Sequence, residues 1–212
     1  MVRHVIWDWN GTLVDDVRLC VQILNQELKA HQIEEISINE YRQKFFFPVA
    51  CYYKKLGLPY SGLNYEALAV RYIGEYRKRF KECQLHDGAV KTLEWLDSRG
   101  ITQSILSAGK QSDLESFVKH FAVDSFFCFI DGAKDIEASG KNERAYGHLS
   151  EIGINPEDVL LVGDTCHDWE VAEIIGCRSL LFTLGHVGAD RLKRDESTVI
   201  TSLSEVCTWV SH

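Results

Sequence analysis

Short apolar runs alternate with longer amphipathic segments along most of the chain. The runs are rich in β-branched and aromatic residues: Val5–Trp7, Gln103–Leu106, Phe127–Ile130, Val159–Val162 and, more weakly, Ser179–Phe182. The segments between them have helical spacing: Ala89–Arg99, Ser112–His120 and Ala145–Ile152. Strands that alternate with helices indicate a parallel sheet. We therefore predict an α/β fold, with a Rossmann-like parallel sheet and helices on both of its faces.

The interval from about Asp15 to His86 has a different pattern, without a convincing buried strand. Three of its segments combine helical apolar periodicity with many charges: Val17–Ala30, Asn39–Phe46 and Asn64–Lys81. We predict a helical cap domain at residues 15–86, inserted after the first strand. The core domain then comprises residues 1–14 and 87–212.

Composition narrows the classes of partner and compartment. Apolar residues make up 45% and charged residues 25%, as in ordinary globular proteins. The net charge of −8 disfavours a general nucleic-acid or acidic-membrane surface. No apolar run is long enough to span a membrane, and the N-terminus does not resemble a signal peptide. Seven dispersed cysteines without a CxxC pair favour a reducing cytoplasm and argue against a zinc site. The oligomeric state cannot be predicted from these features.

The first candidate for chemistry follows the first predicted strand, in the stretch Asp8-Trp9-Asn10-Gly11-Thr12-Leu13. Ligands of open parallel sheets bind outside the carboxyl ends of the strands, where Asp8 would lie. Backbone amides of the following turn could hold phosphoryl oxygens while the carboxylate attacks phosphorus. For Asp8 alone, a simple turn-capping role is the more common explanation.

Three further candidates lie near the ends of later predicted elements. Gly163–Asp168 carries the carboxylates Asp164 and Asp168, and one or two carboxylates suffice to hold Mg²⁺. Acidic residues are also common at helix N-termini for electrostatic reasons. Ser107 could bind a phosphate oxygen or serve as a helix N-cap. Lys141, in Ser-Gly-Lys, could neutralise a phosphate or be a solvated loop residue.

Together these four elements resemble the haloacid dehalogenase (HAD) superfamily. The motifs of that family are DxDGT, a Ser or Thr, a Lys and GDxxxD. Here they correspond, in the family order, to Asp8–Thr12, Ser107, Lys141 and Gly163–Asp168. Phe46–Leu58 and Leu85–Gly100 also look like the phosphoglycolate-phosphatase-like branch, which carries a helical cap between its first and second motifs.

The resemblance implies a Mg²⁺-dependent hydrolase that acts on a small phosphorylated metabolite through an aspartyl phosphate. It implies catalytic roles for Asp8, as nucleophile, and for Asn10 and Lys141. The implied metal-binding residues are Asp8, Asn10 through its backbone carbonyl, Asp164 and Asp168, the last ordering the metal's water shell or contacting Lys141. The implied substrate-binding residues are Trp9, Thr12, Ser107, Ala108 and Lys141.

Asn10 departs from the family pattern, because phosphatases of the family have a second Asp there as a general acid and base. An amide cannot exchange a proton at neutral pH. The departure puts the rate in doubt, and Asn10→Asp should raise turnover on alkyl phosphates. His167 could relay a proton instead, although a solvent-exposed loop His is the simpler interpretation.

The same departure leaves other functions open. A phosphonatase-like enzyme, a phosphotransfer enzyme and a low-turnover phosphate-binding regulator are all compatible with Asn10. Phosphonatases need a Schiff-base Lys in the cap, and Lys44, Lys54 and Lys55 are candidates, although none matches clearly. We expect the cap to close over the substrate, with its aromatic residues mostly forming cap core: Phe45, Phe46, Phe47, Tyr52 and Tyr53.

Overall fold

A six-stranded parallel sheet forms the centre of the protein. The computed structural model describes residues 1–134, 141–193 and 197–211. Its strands, in chain order, are β1 His4–Trp7, β2 Val14–Asp15, β3 Gln84–Leu85, β4 Thr102–Lys110, β5 Phe129–Ala133, β6 Val159–Gly163, β7 Arg178–Phe182 and β8 Thr198–Ile200. The large sheet has the order β5-β4-β1-β6-β7-β8, so β1 lies in its interior. The five predicted strands are all present, and β8 is an additional edge strand.

Helices of very different lengths surround and interrupt this sheet. They are α1 Val17–Ala30, α2 Ile38–Lys44, α3 Val49–Leu56, α4 Gly62–Arg79, α5 Ala89–Ser98, α6 Gln111–His120, α7 Asn142–Ile152, α8 Cys166–Ile175, α9 Ala189–Leu192 and α10 Glu205–Ser211. The helical periodicity predicts most of them to within a few residues. It does not predict α3, which is short and directly follows Pro48, nor α8, α9 and α10.

Side chains of β1 alternate between two hydrophobic clusters, because successive residues of a strand point to opposite faces. Val5 and Trp7 belong to a cluster that includes residues of α5, α6 and α10. Ile6 belongs to a second cluster, which includes residues of α7 and α8. The sheet is therefore covered by helices on both faces, and the predicted α/β Rossmann-like architecture is confirmed.

Helices α1 to α4 occupy residues 15–86, which we call the helical insert. The chain enters and leaves it through β2 and β3, which pair antiparallel with each other. A third hydrophobic cluster joins residues of α1 to α4 with Leu181, Val187 and Leu192. The insert therefore packs near the carboxyl ends of the sheet strands. Among the helices that the structure describes, none is long and apolar enough to cross a membrane.

Candidate active site

Asp8 lies where the sheet brings three predicted motifs together. The strand before it, β1, pairs with β6 on one side and with β4 on the other. Asp164 follows the end of β6, and Ser107 lies in β4. The Asp8 amide also donates to the Val162 carbonyl at 2.8 Å. Parallel pairing therefore places all three residues at the carboxyl edge of the sheet, as the sequence predicts.

Lys141 forms a buried ion-pair bridge between two of the predicted acidic residues. Its Nζ atom lies 2.6 Å from Asp8 Oδ1 and 2.5 Å from Asp168 Oδ1. Burial opposes the charge on Lys141, but the two carboxylates outweigh it and raise the pKa, so that the side chain is a cation. Lys141 precedes α7. The preceding Ser139 and Gly140 of the predicted motif lie outside the described residues.

Three carboxylates converge beside this lysine. Oxygen atoms of Asp8, Asp164 and Asp168 all lie within 4.8 Å of one another. Burial raises the pKa of Asp8 and, more strongly, that of Asp164, with the neighbouring carboxylates adding to the effect. Burial also opposes ionisation of Asp168, but the Lys141 ammonium and hydrogen bonds from Lys141 and Thr165 lower its pKa overall. Asp8 and Asp164 are therefore the carboxyls whose charged form the surrounding protein groups compensate least.

This donor set fits a hard divalent cation. Mg²⁺ prefers oxygen ligands and often binds through one or two carboxylates. Asp168 contacts Lys141 through Oδ1 and accepts from Thr165 through Oδ2, and these contacts lower its pKa. Burial leaves the pKa values of Asp8 and Asp164 raised, so these two carboxylates are the better candidates to bind the ion. Of the two roles expected for Asp168, contact with Lys141 is the one that the geometry favours.

Two loops, one after β1 and one after β7, each donate a hydrogen bond to the Asp164 carboxylate. The Thr12 hydroxyl donates to Asp164 Oδ1 at 2.9 Å, and the His186 backbone amide donates to Oδ2 at 2.5 Å. Gly11 has a φ of +76°, and a side chain there would collide with Asp164 and His186. Thr12 is fully buried and does not line the cavity at the sheet edge. The structure therefore places Thr12 behind the carboxylates, and not at the cavity wall expected of a substrate-binding residue.

The predicted phosphate-binding segment turns tightly at the end of β4. Ser107 is buried, and its Oγ accepts a hydrogen bond from the Gly109 amide at 3.1 Å. Its carbonyl accepts one from Arg144 at 2.5 Å, and Arg144 also pairs with Asp131. Ser107 and Ala108 both line the cavity, as does Trp9. Arg144, which the motifs do not predict, fixes the orientation of this segment from outside the cavity.

Asn10 is part of a buried polar network that the sequence motifs do not reveal. Its Nδ2 donates to Asp16 Oδ2 at 2.6 Å and to the Tyr76 hydroxyl at 2.9 Å. Asp16 also pairs with His186 at 3.2 Å, and His186 Nδ1 lies 3.0 Å from the Tyr41 hydroxyl. Burial opposes protonation of His186, but Asp16 raises its pKa to about 9. The same contacts lower the pKa of Asp16 despite its burial.

His167 is engaged away from the cavity. Its Nε2 accepts a hydrogen bond from the Lys141 backbone amide at 2.9 Å, and Nδ1 lies 3.4 Å from Glu170. Its ring packs against Phe47, and it does not line the cavity. Burial and the nearby lysine lower its pKa. This placement does not support a proton relay by His167, and it also excludes the solvent-exposed loop position.

A cavity of about 180 Å³ extends from these groups towards the helical insert. Asp8, Asn10, Lys141 and Asp168 line it at the sheet edge. Aromatic residues of the insert form much of the opposite wall, including Phe45 and Phe47. The carboxylate nucleophile candidate is thus enclosed together with a buried cation, in a site large enough for a small organic phosphate.

Comparison with known proteins supports the motif assignment. A family model of haloacid dehalogenase-like hydrolases matches residues 5–182. A phosphoglycolate phosphatase of Synechococcus elongatus is 26% identical over 87% of this chain and 85% of its own length. Tyrosine-protein kinase PtkA of Mycobacterium tuberculosis is 24% identical over 95% of this chain and 69% of its own length.

Solved structures resemble the whole chain. A haloacid dehalogenase-like family protein of Streptococcus pneumoniae superposes with a TM-score of 0.80 at 20% identity, covering 98% of both chains. The PtkA structure of M. tuberculosis superposes with a TM-score of 0.81 at 22% identity, covering 100% of this chain and 99% of the other. At these identities the likeness establishes the shared fold.

Proposed function

We propose that this chain, which belongs to the haloacid dehalogenase-like hydrolase family, is a Mg²⁺-dependent phosphatase that hydrolyses a small phosphorylated metabolite through an aspartyl phosphate on Asp8. The observation that carries the proposal is the position of Asp8 inside the cavity. Its carboxylate contacts the buried Lys141 cation at 2.6 Å and shares the sheet edge with Asp164 and Ser107. The phosphatase among the relatives supports the reaction class.

In the proposed reaction, an Asp8 oxygen attacks phosphorus and the bond between phosphorus and the ester oxygen breaks. Lys141 and the backbone amides beside Ser107 and Ala108 would hold the phosphoryl oxygens. Water then attacks the same phosphorus, which releases inorganic phosphate and restores the Asp8 carboxylate. Asp168 keeps Lys141 oriented through its 2.5 Å contact. Such fixed charges stabilise the charge that develops during transfer.

Asp8 and Asp164, together with the Asn10 backbone carbonyl, are the groups that we propose to hold Mg²⁺. The raised pKa values of both carboxyls reflect burial with insufficient positive charge nearby, which a divalent cation would relieve. When bound, the ion would neutralise phosphate charge and orient the transferred group. Asn10 supplies no proton, so we expect acyl and aryl phosphates to turn over faster than alkyl phosphates.

We propose that the helical insert, residues 15–86, is a cap domain on a core of residues 1–14 and 87–212. Its antiparallel entry and exit strands and its own hydrophobic cluster support this division. Its lysines do not support a phosphonatase. Lys44 pairs with Glu40, Lys54 lies over the Tyr60 ring and Lys55 over the Phe46 ring, and none of the three lines the cavity.

A steady-state assay with acetyl phosphate and phenyl phosphate tests the proposed function. We expect Mg²⁺-dependent release of inorganic phosphate by the wild type and loss of release in Asp8→Asn, because a neutral amide is a poor nucleophile. Asp15→Asn is the matched control, since Asp15 is exposed and lies outside the cavity. Full turnover by Asp8→Asn would refute the mechanism. Absence of turnover by the wild type on every phosphate tried would favour the phosphate-binding regulator.

A further inference from the structure

The cavity contains unused hydrogen-bonding capacity. Among the described residues, two buried side-chain polar atoms have no hydrogen-bond partner, and they are Trp9 Nε1 and the Tyr52 hydroxyl. Both residues line this one cavity, and both are 1% exposed. A buried polar group left without a partner destabilises the folded state, and native proteins rarely leave one. Their coincidence in one cavity indicates that a bound molecule completes it.

Three other tyrosine hydroxyls that line the cavity are already occupied. The Tyr41 hydroxyl contacts His186 at 3.0 Å, that of Tyr72 donates to the Cys20 carbonyl at 3.3 Å, and that of Tyr76 donates to Asp16 at 2.8 Å. These three rings therefore present mainly carbon surface to the cavity. Tyr52 is the one of the four with a hydroxyl left for a ligand.

The charges along the cavity wall disfavour a second acidic group on the ligand. Four carboxylates line it, namely Asp8, Asp16, Asp113 and Asp168, against three cationic side chains, namely Lys110, Lys141 and His186. Lys141 and His186 are paired with carboxylates, and Asp113 is paired with Arg77. Lys110 alone lacks an ion-pair partner among the described residues, and it lies at the sheet edge beside the proposed phosphate segment. The one cation that packs against the aromatic end among these lining residues, His186, is already paired with Asp16, so this end offers a ligand carboxylate no unpaired cation.

Size sets a further limit. A cavity of about 150 Å³ lined by apolar side chains accommodates a benzene ring. The cavity here measures about 180 Å³ and has an aromatic wall formed by residues such as Phe45 and Phe47. Because the same cavity also holds the phosphoryl group at the sheet edge, it matches an organic group of at most about one six-membered ring.

We propose that the substrate of this site is the phosphate monoester of an uncharged, ring-sized apolar alcohol or phenol that offers one polar atom to the Tyr52 hydroxyl. This inference rests on the proposed phosphatase function and adds the substrate class. It sets the chain apart from a relative that is a phosphoglycolate phosphatase, because phosphoglycolate would bring a carboxylate in place of the ring.

Matched phosphates separate charge from leaving-group chemistry. Phenyl phosphate and meta-carboxyphenyl phosphate have similar leaving groups, so their kcat/KM ratio reports the added carboxylate. We expect the uncharged ester to be favoured at least about tenfold, because a buried unpaired charge is strongly disfavoured. We also expect one hydroxyphenyl phosphate isomer to exceed phenyl phosphate several-fold. Tyr52→Phe should abolish the advantage of the hydroxyphenyl isomer, because the hydroxyl that it would contact is gone. The kcat/KM for phenyl phosphate should change much less.

A variant with a larger side chain in the cavity wall tests whether the substrate ring binds in this cavity. Ala69 is buried, lies on α4 and lines the cavity, whereas its neighbour Val70 is 60% exposed. Ala69→Leu should lower the ratio of phenyl phosphate to acetyl phosphate turnover at least about tenfold, because Leu adds three carbon atoms and a single methylene already changes pocket binding by about that factor. Val70→Leu should leave the ratio unchanged. Thermal melting of each variant confirms that it is folded.

The outcomes of these assays distinguish failure of the proposed substrate class from failure of the proposed phosphatase function. If acetyl phosphate is hydrolysed but phosphoglycolate or the carboxyphenyl ester is preferred, the substrate class is wrong and the phosphatase proposal stands. Loss of that preference in Lys110→Ala would identify Lys110 as the group binding the carboxylate. If no phosphate is hydrolysed, both proposals fail. An unchanged ratio in Ala69→Leu, with the ring esters still preferred, would place the ring outside this cavity and overturn the assignment.

Discussion

Exchanging Asn10 and Asp16 tests how the residue two positions after the nucleophile is held. Asn10 Nδ2 donates to Asp16 Oδ2 at 2.6 Å, deep in the protein. Asn10→Asp alone would bring two carboxylates into that contact. Two like charges that relax to about 4 Å apart repel by about 4 kcal/mol at an effective dielectric constant of about 20. We therefore expect the single variant to lose about that much unfolding free energy at mildly alkaline pH.

The double variant Asn10→Asp/Asp16→Asn should recover part of this loss, because it restores a contact between one carboxylate and one amide but removes the carboxylate that pairs with His186. Tyr76 now accepts from Asn10 and donates to Asp16. In the exchanged protein every donor and acceptor of this triangle reverses, so each hydrogen bond can re-form with one carboxylate and one amide. The amide oxygen introduced at position 16 could still accept from the Gly11 amide, as Asp16 Oδ1 does at 3.0 Å.

Urea denaturation with linear extrapolation measures the three free energies. Asp15→Asn, at an exposed neighbouring position, controls for the loss of one acidic residue. The predicted repulsion is refuted if Asn10→Asp is as stable as the wild type, or if the double variant is no more stable than the single one. The sequence-based expectation that Asn10→Asp raises alkyl phosphate turnover stays a prediction, and the exchanged pair should show the same gain without the like-charge repulsion.

Three further results are expected. Asp164→Ala and removal of Mg²⁺ by excess chelator should each abolish turnover on acetyl phosphate, and full activity in chelator would contradict the metal assignment. Leu68→Ala, fully buried in the helical insert, should lower the unfolding free energy by about 2–5 kcal/mol, whereas Leu63→Ala, at an 82% exposed position, should change it little. Burial, reinforced by His148, lowers the pKa of His4 from 6.5 to about 4. The unfolded chain therefore binds an additional proton as the pH falls through that window, and stability should decrease by about 3 kcal/mol, an effect lost in His4→Gln but not in His31→Gln.

Hydrophobic periodicity and motif spacing predict those elements and site residues whose positions are determined by the local sequence. The strand before Asp8 and helix α1 are found where the apolar pattern places them, because β1 is buried on both faces and α1 must bury one. The convergence of Asp8, Ser107 and Asp164 also follows from the sequence, since residues at the ends of adjacent parallel strands meet at one edge, whereas Lys141, which precedes α7, was placed by the family resemblance.

Contacts between distant segments could not be predicted in the same way. His186 follows β7, so the strand-end rule could have marked it, but nothing local indicates its pairing with Asp16. Thr12 belongs to the recognised motif, yet only the fold shows that it supports Asp164 from behind. Asp16 falls within the predicted insert, residues 15–86. Its side chain nevertheless contacts Asn10 and His186 in the candidate active site.

Short elements escaped prediction for a related reason. β2 and β3 have two residues each, too few to display a period, and they exist because the insert's entry and exit meet. Helix α3 is stabilised by the packing of Tyr52 and Tyr53 into the cluster of the insert. The same packing leaves the Tyr52 hydroxyl without a partner. The feature that suggests the substrate class is therefore one that only the three-dimensional structure reveals.

The central claim is that Asp8 becomes phosphorylated during turnover. The most direct test is to quench the wild type with acid during hydrolysis of phosphate-labelled acetyl phosphate and to map the labelled peptide by mass spectrometry. We predict label on Asp8 in the wild type and in Asp15→Asn, and none at this position in Asp8→Asn. Label on any other residue, or rapid turnover by Asp8→Asn, would contradict the claim.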